Sequence, residues 1–437
     1  MQKTPIPYQT VKKKIDEMGV HPIGKASIRE LVKLVNDIEA ETGEQFVRME
    51  MGVPGLDPVQ IGTDAEMEAL QKGVASKYPM IEGLPSLKKE ISRFAKLFLD
   101  IEVSERSCIP SVGSMQGGFA AFLVACRREQ KRETTLFIDP GFPVQKMQQH
   151  TLGLHYESFD VYNYRGDKLR DKLEEYLSQG HISTILYSNP NNPSWICFTD
   201  KELRIIGEMA NKYDVAVIED LAYFGMDFRT DVSEPGKPPF QPTVAKYTDN
   251  YLLLISSSKA FSYAGQRMGM MVISDKLYER EFPDLKRYFA SPQFGHAMVY
   301  GALYTLSSGT AHSPQYAVQA ILKVANDGKY NFVEGVKEYG KRASIMKDTL
   351  VKNGFEIVYD KDEDKPLADG FYFTFSYPGF SGAELVEELL YYGVSAISLD
   401  ITGSERTEGL RACVSQTGMD QMEDFRKRIE QFHKDHP

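Results

Sequence analysis

The sequence predicts an α/β protein: a three-layer large domain built on a mostly parallel sheet, joined to a smaller α+β domain. Three observations carry this. Between residues 107 and 275, apolar strand-like runs fall near 108–111, 134–138, 154–159, 182–187, 214–219, 251–255 and 268–273, and helix-periodic segments separate most of them. Alternation of this kind lays helices over both faces of a parallel sheet. Runs such as Val215-Ala216-Val217-Ile218 are apolar on both faces, as a covered parallel strand requires. After 275 the alternation gives way to long helical stretches and shorter strands. The expected division is residues 1–50 as an N-terminal segment belonging to the small domain, 51–290 as the large domain and 291–437 as the C-terminal small domain.

In chain order, Ser27 to Glu41 carries an apolar stripe at 28, 31, 32, 34, 35 and 38 with Ser27 as N-cap, and reads as a helix. The turn Gly52-Val53-Pro54-Gly55 follows. A second helix starts near Leu84, with Pro85 in its first turn, and runs to about Leu99. Within the alternating region the helices are clearest at 115–129, 168–178 and 199–213. The Pro- and Gly-rich stretch 231–242 reads as a surface loop. Beyond it, helices are expected over 293–308, 313–352, 382–391 and 419–434, and strands near 355–359, 370–376 and 409–414.

A chain of 437 residues can bury a large core. Its net charge of −10 argues against a general nucleic-acid or anionic-membrane surface. The longest apolar run, Phe119 to Cys126, is eight residues, too short for a membrane span. No signal peptide is visible at the N-terminus. The four cysteines, Cys108, Cys126, Cys197 and Cys413, lie far apart, without the spacing of a disulfide or zinc framework. A cytoplasmic protein without a structural metal is expected.

Polar residues gather where apolar runs stop, at strand ends where α/β sheets place their chemistry. Ser111-Val112-Gly113-Ser114-Met115-Gln116-Gly117-Gly118 is a strand-to-helix turn whose small residues admit an anion to backbone N–H groups. Alone it reads first as a tight βα turn that needs glycine. Asp139-Pro140-Gly141-Phe142-Pro143 puts an aromatic ring on a stiff turn, able to stack on a flat ring or simply to pack. In Asn189-Pro190-Asn191-Asn192-Pro193 two prolines fix the direction of Asn192, whose amide can donate to a ring oxygen. Glu219-Asp220-Leu221-Ala222-Tyr223 closes a buried strand with a carboxylate that needs a positive partner or a hydrogen bond. Finally, Ser256-Ser257-Ser258-Lys259-Ala260-Phe261 with Gly265-Gln266-Arg267-Met268-Gly269 follows the apolar run 251–255. It delivers an amine able to form an imine, with hydroxyls and a guanidinium able to hold a phosphate.

Each turn alone is common; their order and joint occurrence are specific. Together they make the chain resemble a class I/II aminotransferase of the fold-type I pyridoxal-phosphate enzymes, over nearly the whole length from Met49 to Arg411. The resemblance implies pyridoxal 5'-phosphate held covalently by Lys259, with Asp220 on its ring nitrogen, Tyr223 and Asn192 at its phenolic oxygen and Phe142 stacked on it. It also implies a phosphate cradle of Ser114, Met115, Gln116, Ser256, Ser258 and Arg267, completed across a homodimer boundary by Tyr78, so that the active site lies at the subunit interface. Arg411 would clamp the α-carboxylate of the substrate, and Gly52 would bring backbone close to it. The implied reaction moves an amino group between an L-amino acid and a 2-oxo acid, without nucleic acid or membrane as partner.

Two departures from the family pattern fall beside the implied site. Ser194-Trp195 stands where Thr-Gly is usual, and Ile397 to Gly403 lacks the usual Pro-Gly segment. Both bear on which substrate is taken. The same cofactor residues also serve β- or γ-elimination, so a lyase is the main alternative. Ser256-Ser257-Ser258-Lys259 satisfies the Ser-x-x-Lys pattern of penicillin-binding serine hydrolases, but no Lys-Thr-Gly follows. A non-catalytic regulatory domain on this scaffold would have been signalled by loss of Lys259, which is present.

Overall fold

The computed structural model describes residues 4–437; residues 1–3 of the expected N-terminal segment lie outside the described residues. The seven strands of the main sheet are β1 (Cys108–Val112), β2 (Thr134–Asp139), β3 (His155–Asp160), β4 (Ile182–Ser188), β5 (Ala216–Leu221), β6 (Tyr251–Ser256) and β7 (Met268–Ile273). Their order across the sheet is β1-β7-β6-β5-β4-β2-β3. All neighbours are parallel except those of β7, which runs antiparallel to both β1 and β6. The C-terminal ends of β1, β2, β4, β5 and β6 therefore share one edge, and the reversed β7 begins there. That single topological fact brings the five polar turns of the sequence to one place.

Strands β2, β4, β5, β6 and β7 are buried along their whole length, as their apolar runs demand. The helix Gly113–Ala125 packs against the sheet through Ala120, Ala121, Val124 and Ala125, and its small residues let it lie close. Phe294 to Leu303 joins that same core, and Ala317 to Ala325 packs into the core on the opposite side of the sheet.

The second core is built on a four-stranded antiparallel sheet of Glu356–Ile357, Tyr372–Ser376, Ile397–Ser398 and Leu410–Cys413. The N-terminal segment belongs to it: Val47–Arg48 pairs in parallel with Val394–Ser395, and Leu31, Leu34, Val35 and Ile38 pack with Leu385, Leu389 and Phe432. Helix Ile28–Thr42 starts at Ser27 with a complete capping box to Glu30.

Two expectations are corrected in detail. The helix expected over 84–99 is α-helical only over Pro85–Phe94 and continues as a π-helical turn over Ala95–Leu99. The single helix expected over 313–352 is two, His312–Asn326 and Glu338–Lys352. Gly328 ends the first in the left-handed conformation, φ +68°, which helical periodicity in the flanks cannot reveal.

Candidate active site

The shared sheet edge carries Lys259 just beyond β6, on a short helix Ser257–Ala260 whose N-cap hydroxyl, Ser256 Oγ, accepts from Ser258 N at 3.1 Å. The Lys259 amine donates to the carbonyl oxygen of Gly52 and lies 5.4 Å from the ring centre of Phe371. Burial, with Arg411 and Arg267 nearby, pushes its pKa down to about 8. This amine is therefore far more available in neutral form than an exposed lysine.

One strand over, Asp220 ends β5 at 7% exposure. Its carboxylate accepts from Gln145 Nε2 at 2.8 Å and from Ala222 N at 3.1 Å. Both donors are neutral, and burial pushes the pKa up to about 6. The neighbouring Glu219 is likewise held by neutral donors, Tyr187, Thr243 and Val244 N, but is fully buried; Asp220 keeps slight exposure at the shared edge, where a cationic partner would offset the cost of its burial. A protonated ring nitrogen fits that demand. Gln145 was not foreseen. It sits three residues beyond Phe142 on the helix Pro143–Thr151, so the turn that carries the half-buried Phe142 also aims an amide at Asp220. The spacing from Phe142 was the only signal available.

Tyr223 lies three residues beyond Asp220. Its hydroxyl donates to Tyr372 Oη at 2.8 Å, and burial holds its pKa well above the usual phenol value. Tyr372 was also unforeseen, because it reads as one apolar position in an apolar strand.

At the end of β4, the Asn-Pro turn is tied internally by Ser188, Asn191, Asn192 and Ser194, while Asn189 Nδ2 is buried without a partner. Asn192 N donates to Ser188 Oγ at 3.2 Å, and Ser194 N donates to Asn191 Oδ1 at 3.0 Å. Asn192 Oδ1 then accepts from Arg411 Nη1 at 3.2 Å. Arg411 is 1% exposed, donates also to the Glu50 carbonyl, stacks 4.5 Å from the ring centre of Tyr372 and leaves Nε without a partner. Its guanidinium is thus fixed in place with hydrogen-bonding capacity to spare, a fork suited to a carboxylate.

The anion cradle assembles from two turns. Arg267, in the left-handed conformation at φ +56°, brings Nη2 to 2.8 Å from the point where a side chain on Gly113 would begin. Gly269 is needed as well, since a Cβ there would meet the backbone of Gly113 and Ser114 at 2.6 Å. The helix Gly113–Ala125 leaves the N–H groups of Gly113, Ser114 and Met115 without intrahelical partners. The Gln116 side chain is engaged at the same turn, its Oε1 accepting from Val112 N at 2.8 Å and its Nε2 donating to Ser307 Oγ at 2.6 Å. Tyr78 stands apart, 93% exposed and hydrogen-bonded to none of these groups.

The two departures are also located. Trp195 adopts φ +66°, a conformation glycine takes without cost, and its fully buried ring enters the second core, edge-on to Tyr223 at 5.4 Å and to Tyr372 at 6.1 Å. Gly370 makes room for it, since a Cβ there would meet the indole at 2.1 Å. The segment 399–403 ties to the Phe142 turn through Gly141 N, which donates to Thr402 O at 2.9 Å.

Among the described residues no group of His, Cys, Asp and Glu could hold a metal ion. What converges is a desolvated amine, a buried carboxylate, a phenol, an amide, a fixed guanidinium and an anion cradle. Such a set fits a flat cationic ring with an anionic tail, together with a carboxylate-bearing amine.

The family described as aminotransferase class I and II matches residues 44–429. An asparagine–oxo-acid transaminase of Streptococcus mutans is 24% identical over 344 residues, 76% of this chain and 78% of that protein. A putative aminotransferase of Bacillus subtilis, YugH, is 23% identical over 90% of this chain and 94% of its own. Among solved structures, an aspartate aminotransferase from Thermotoga maritima superposes with a TM-score of 0.75 at 18% identity, covering 97% of this chain and 99% of that one. An alanine aminotransferase from Pyrococcus furiosus gives 0.74 at 19% identity, covering 95% and 99%.

Proposed function

This chain belongs to the class I and II aminotransferase family, and from that premise we propose that its cleft binds pyridoxal 5'-phosphate on Lys259 and an amino acid on Arg411. The chain is an aminotransferase, moving an amino group between an L-amino acid and a 2-oxo acid. The observation that carries the site assignment is Asp220: a buried carboxylate beside the lysine strand, served only by neutral donors.

Bound there, the cofactor supplies an electron sink for charge developing at the substrate's Cα. The chain's own residues do the rest. Asp220 holds positive charge on the ring nitrogen, and Gln145 orients that carboxylate. Phe142 packs on the ring face. Tyr223 and Asn192 face the ring oxygen, while Ser256, Ser258, Arg267 and the N–H groups of Ser114 and Met115 hold the phosphate. Arg411 fixes the substrate α-carboxylate, and so orients Cα toward Lys259, beside Gly52. The lysine amine, lowered toward neutrality by burial, would take the proton from Cα and deliver it to the cofactor carbon that keeps the amino nitrogen. Phe371, Tyr372 and Trp195 wall this volume against water.

We extend the reading to the assembly. Tyr78 and Met80, with Tyr300, Tyr304 and Leu306, are exposed large hydrophobics on neighbouring segments, linked by His312 Nδ1 to Lys77 O at 3.0 Å and by Tyr300 Oη to Glu82 at 2.7 Å. Such a face suits a second copy of the chain, with Tyr78 reaching the partner's phosphate cradle. Packing supports a domain boundary near 333–336, later than the 290/291 division expected, since Phe332 and Val333 join the core of the main sheet and Val336 and Tyr339 the second core, with residues 4–50 joined to the C-terminal part. Among the described residues no helix is long and apolar enough to cross a membrane, and all four cysteines are buried and free, which supports a reducing compartment such as the cytoplasm.

The test is a panel of amino acids mixed with the purified, cofactor-loaded protein. Loss of the visible cofactor band together with 2-oxo acid formation and no free ammonia is the expected result. Ammonia released in step with the oxo acid would instead mean elimination.

A further inference from the structure

We propose that Tyr372 is a positioning residue for the reaction, acting through Tyr223: its phenol sets how strongly Tyr223 donates toward the cofactor's ring oxygen. The inference rests on the reading of Tyr223 given above.

The two hydroxyls are 2.8 Å apart and both side chains are buried, with no water-facing alternative for either. Tyr372 is held there from three sides. Trp195 meets its ring at 6.1 Å, the Arg411 guanidinium stacks 4.5 Å from its centre, and Phe371 is edge-on at 5.1 Å. Its hydroxyl occupies the notch left by Gly52, where any Cβ would lie 1.9 Å from the oxygen. The carbonyl of that same Gly52 accepts from Lys259. The Tyr372 oxygen thus lies beside Gly52, whose carbonyl is the lysine's acceptor, and against the phenol that faces the ring.

A phenol has one proton to give and lone pairs to receive. As the pair stands, Tyr223 donates to Tyr372, and among the described residues the Tyr372 proton has no acceptor. When Tyr223 turns its proton to a ring oxygen, Tyr372 can reverse and donate to Tyr223. A hydroxyl that receives a hydrogen bond becomes a better donor, so the pair polarises in the direction of the ring oxygen. No bond other than these hydrogen bonds changes, and no proton leaves the pair.

The charged and titratable neighbours of Tyr223 are Tyr372, Arg411 and Cys413, and those of Lys259 are Cys413, Arg411 and Arg267. Replacing a phenol by phenylalanine alters none of the others. A donor held against the ring oxygen favours the form in which that oxygen is more negative, the form that has lost the adjacent proton. Weakening the donor therefore raises the pH midpoint of the loaded protein's visible band.

The experiment is a pH titration of that band, without substrate, in Tyr223→Phe, Tyr372→Phe and the double variant, each checked for an unchanged thermal midpoint. Tyr223→Phe is expected to raise the midpoint by roughly 1–2 units, the size of one charge-assisted hydrogen bond. Tyr372→Phe is expected to raise it by roughly 0.2–0.6 units, the share a cooperative neighbour contributes. The double variant should match Tyr223→Phe alone, because Tyr372 acts only through Tyr223. An unmoved midpoint in Tyr372→Phe beside a moved one in Tyr223→Phe overturns this proposal and leaves the functional reading intact. Additive shifts overturn it too. No shift in Tyr223→Phe removes Tyr223 from the ring oxygen, and the proposal falls with that reading.

Discussion

Replacing Arg411 by lysine keeps the charge and removes the fork, which isolates what the guanidinium contributes. In the structure Nη1 is committed to Asn192 Oδ1 at 3.2 Å, Nη2 to the Glu50 carbonyl, and Nε is left unpaired. A lysine ammonium is a point donor on a flexible stem and cannot serve both anchors and a carboxylate at once. The loss is one to two charge-assisted hydrogen bonds, about 2–4 kcal/mol, or roughly 30- to 1000-fold in kcat/KM. The carboxylate is bound before and during proton transfer alike, so the loss should fall mainly on KM. Unpaired acceptors at Asn192 and Glu50 should also cost about 1–3 kcal/mol of folding stability, so rates are compared at temperatures where both proteins are folded. The assay is steady-state transamination of an accepted amino acid beside the amine that lacks its carboxylate. Only the amino acid should suffer. An equal loss for the carboxylate-free amine, or a KM within threefold of the parent, would refute the assignment of Arg411.

Asp220→Asn leaves a neutral partner for the ring nitrogen; a carboxylate is worth about 1–3 pKa units to a neighbouring cation, so turnover should fall about 10- to 1000-fold while cofactor still binds, as absorbance will report. Lys259 titrates near 8, so it is mostly protonated below that pH and neutral above it. Reductive alkylation of the cofactor-free protein should therefore label Lys259 with a rate that rises up to about pH 8 and then levels, whereas exposed lysines keep rising beyond pH 10, as peptide mass analysis can show. Gly370→Ala drives a methyl group to 2.1 Å from Trp195 and should cost about 1–3 kcal/mol in thermal or denaturant unfolding. Trp195→Gly empties a fully buried ring from the second core and should itself cost about 3–5 kcal/mol, but in that background Gly370→Ala should add little further loss, because the clash is gone.

The sequence made Lys259, Asp220 and Asn192 legible for one physical reason. Each stands at or beyond the end of a buried, mainly apolar strand, where α/β sheets place their polar chemistry. Arg411 was reachable only through the family pattern, because an arginine in a late strand resembles a surface charge until Glu50 and Asn192 are seen to hold it. Gln145 and Tyr372 escaped because their roles depend on what the fold sets opposite them, one on a helix and one in a strand of the other core. The break at Gly328 was hidden by helical periodicity on both sides. Trp195 was rightly singled out as unusual, but only the packing shows its ring turned into the second core behind the two phenols.

The account stands on Lys259 being the residue joined to the cofactor. Borohydride reduction of the loaded protein, followed by peptide mass mapping, reads this directly. The expected result is a single stable cofactor adduct on the peptide that contains Lys259, absent from Lys259→Ala. An adduct on another lysine, or one that survives in Lys259→Ala, would contradict it.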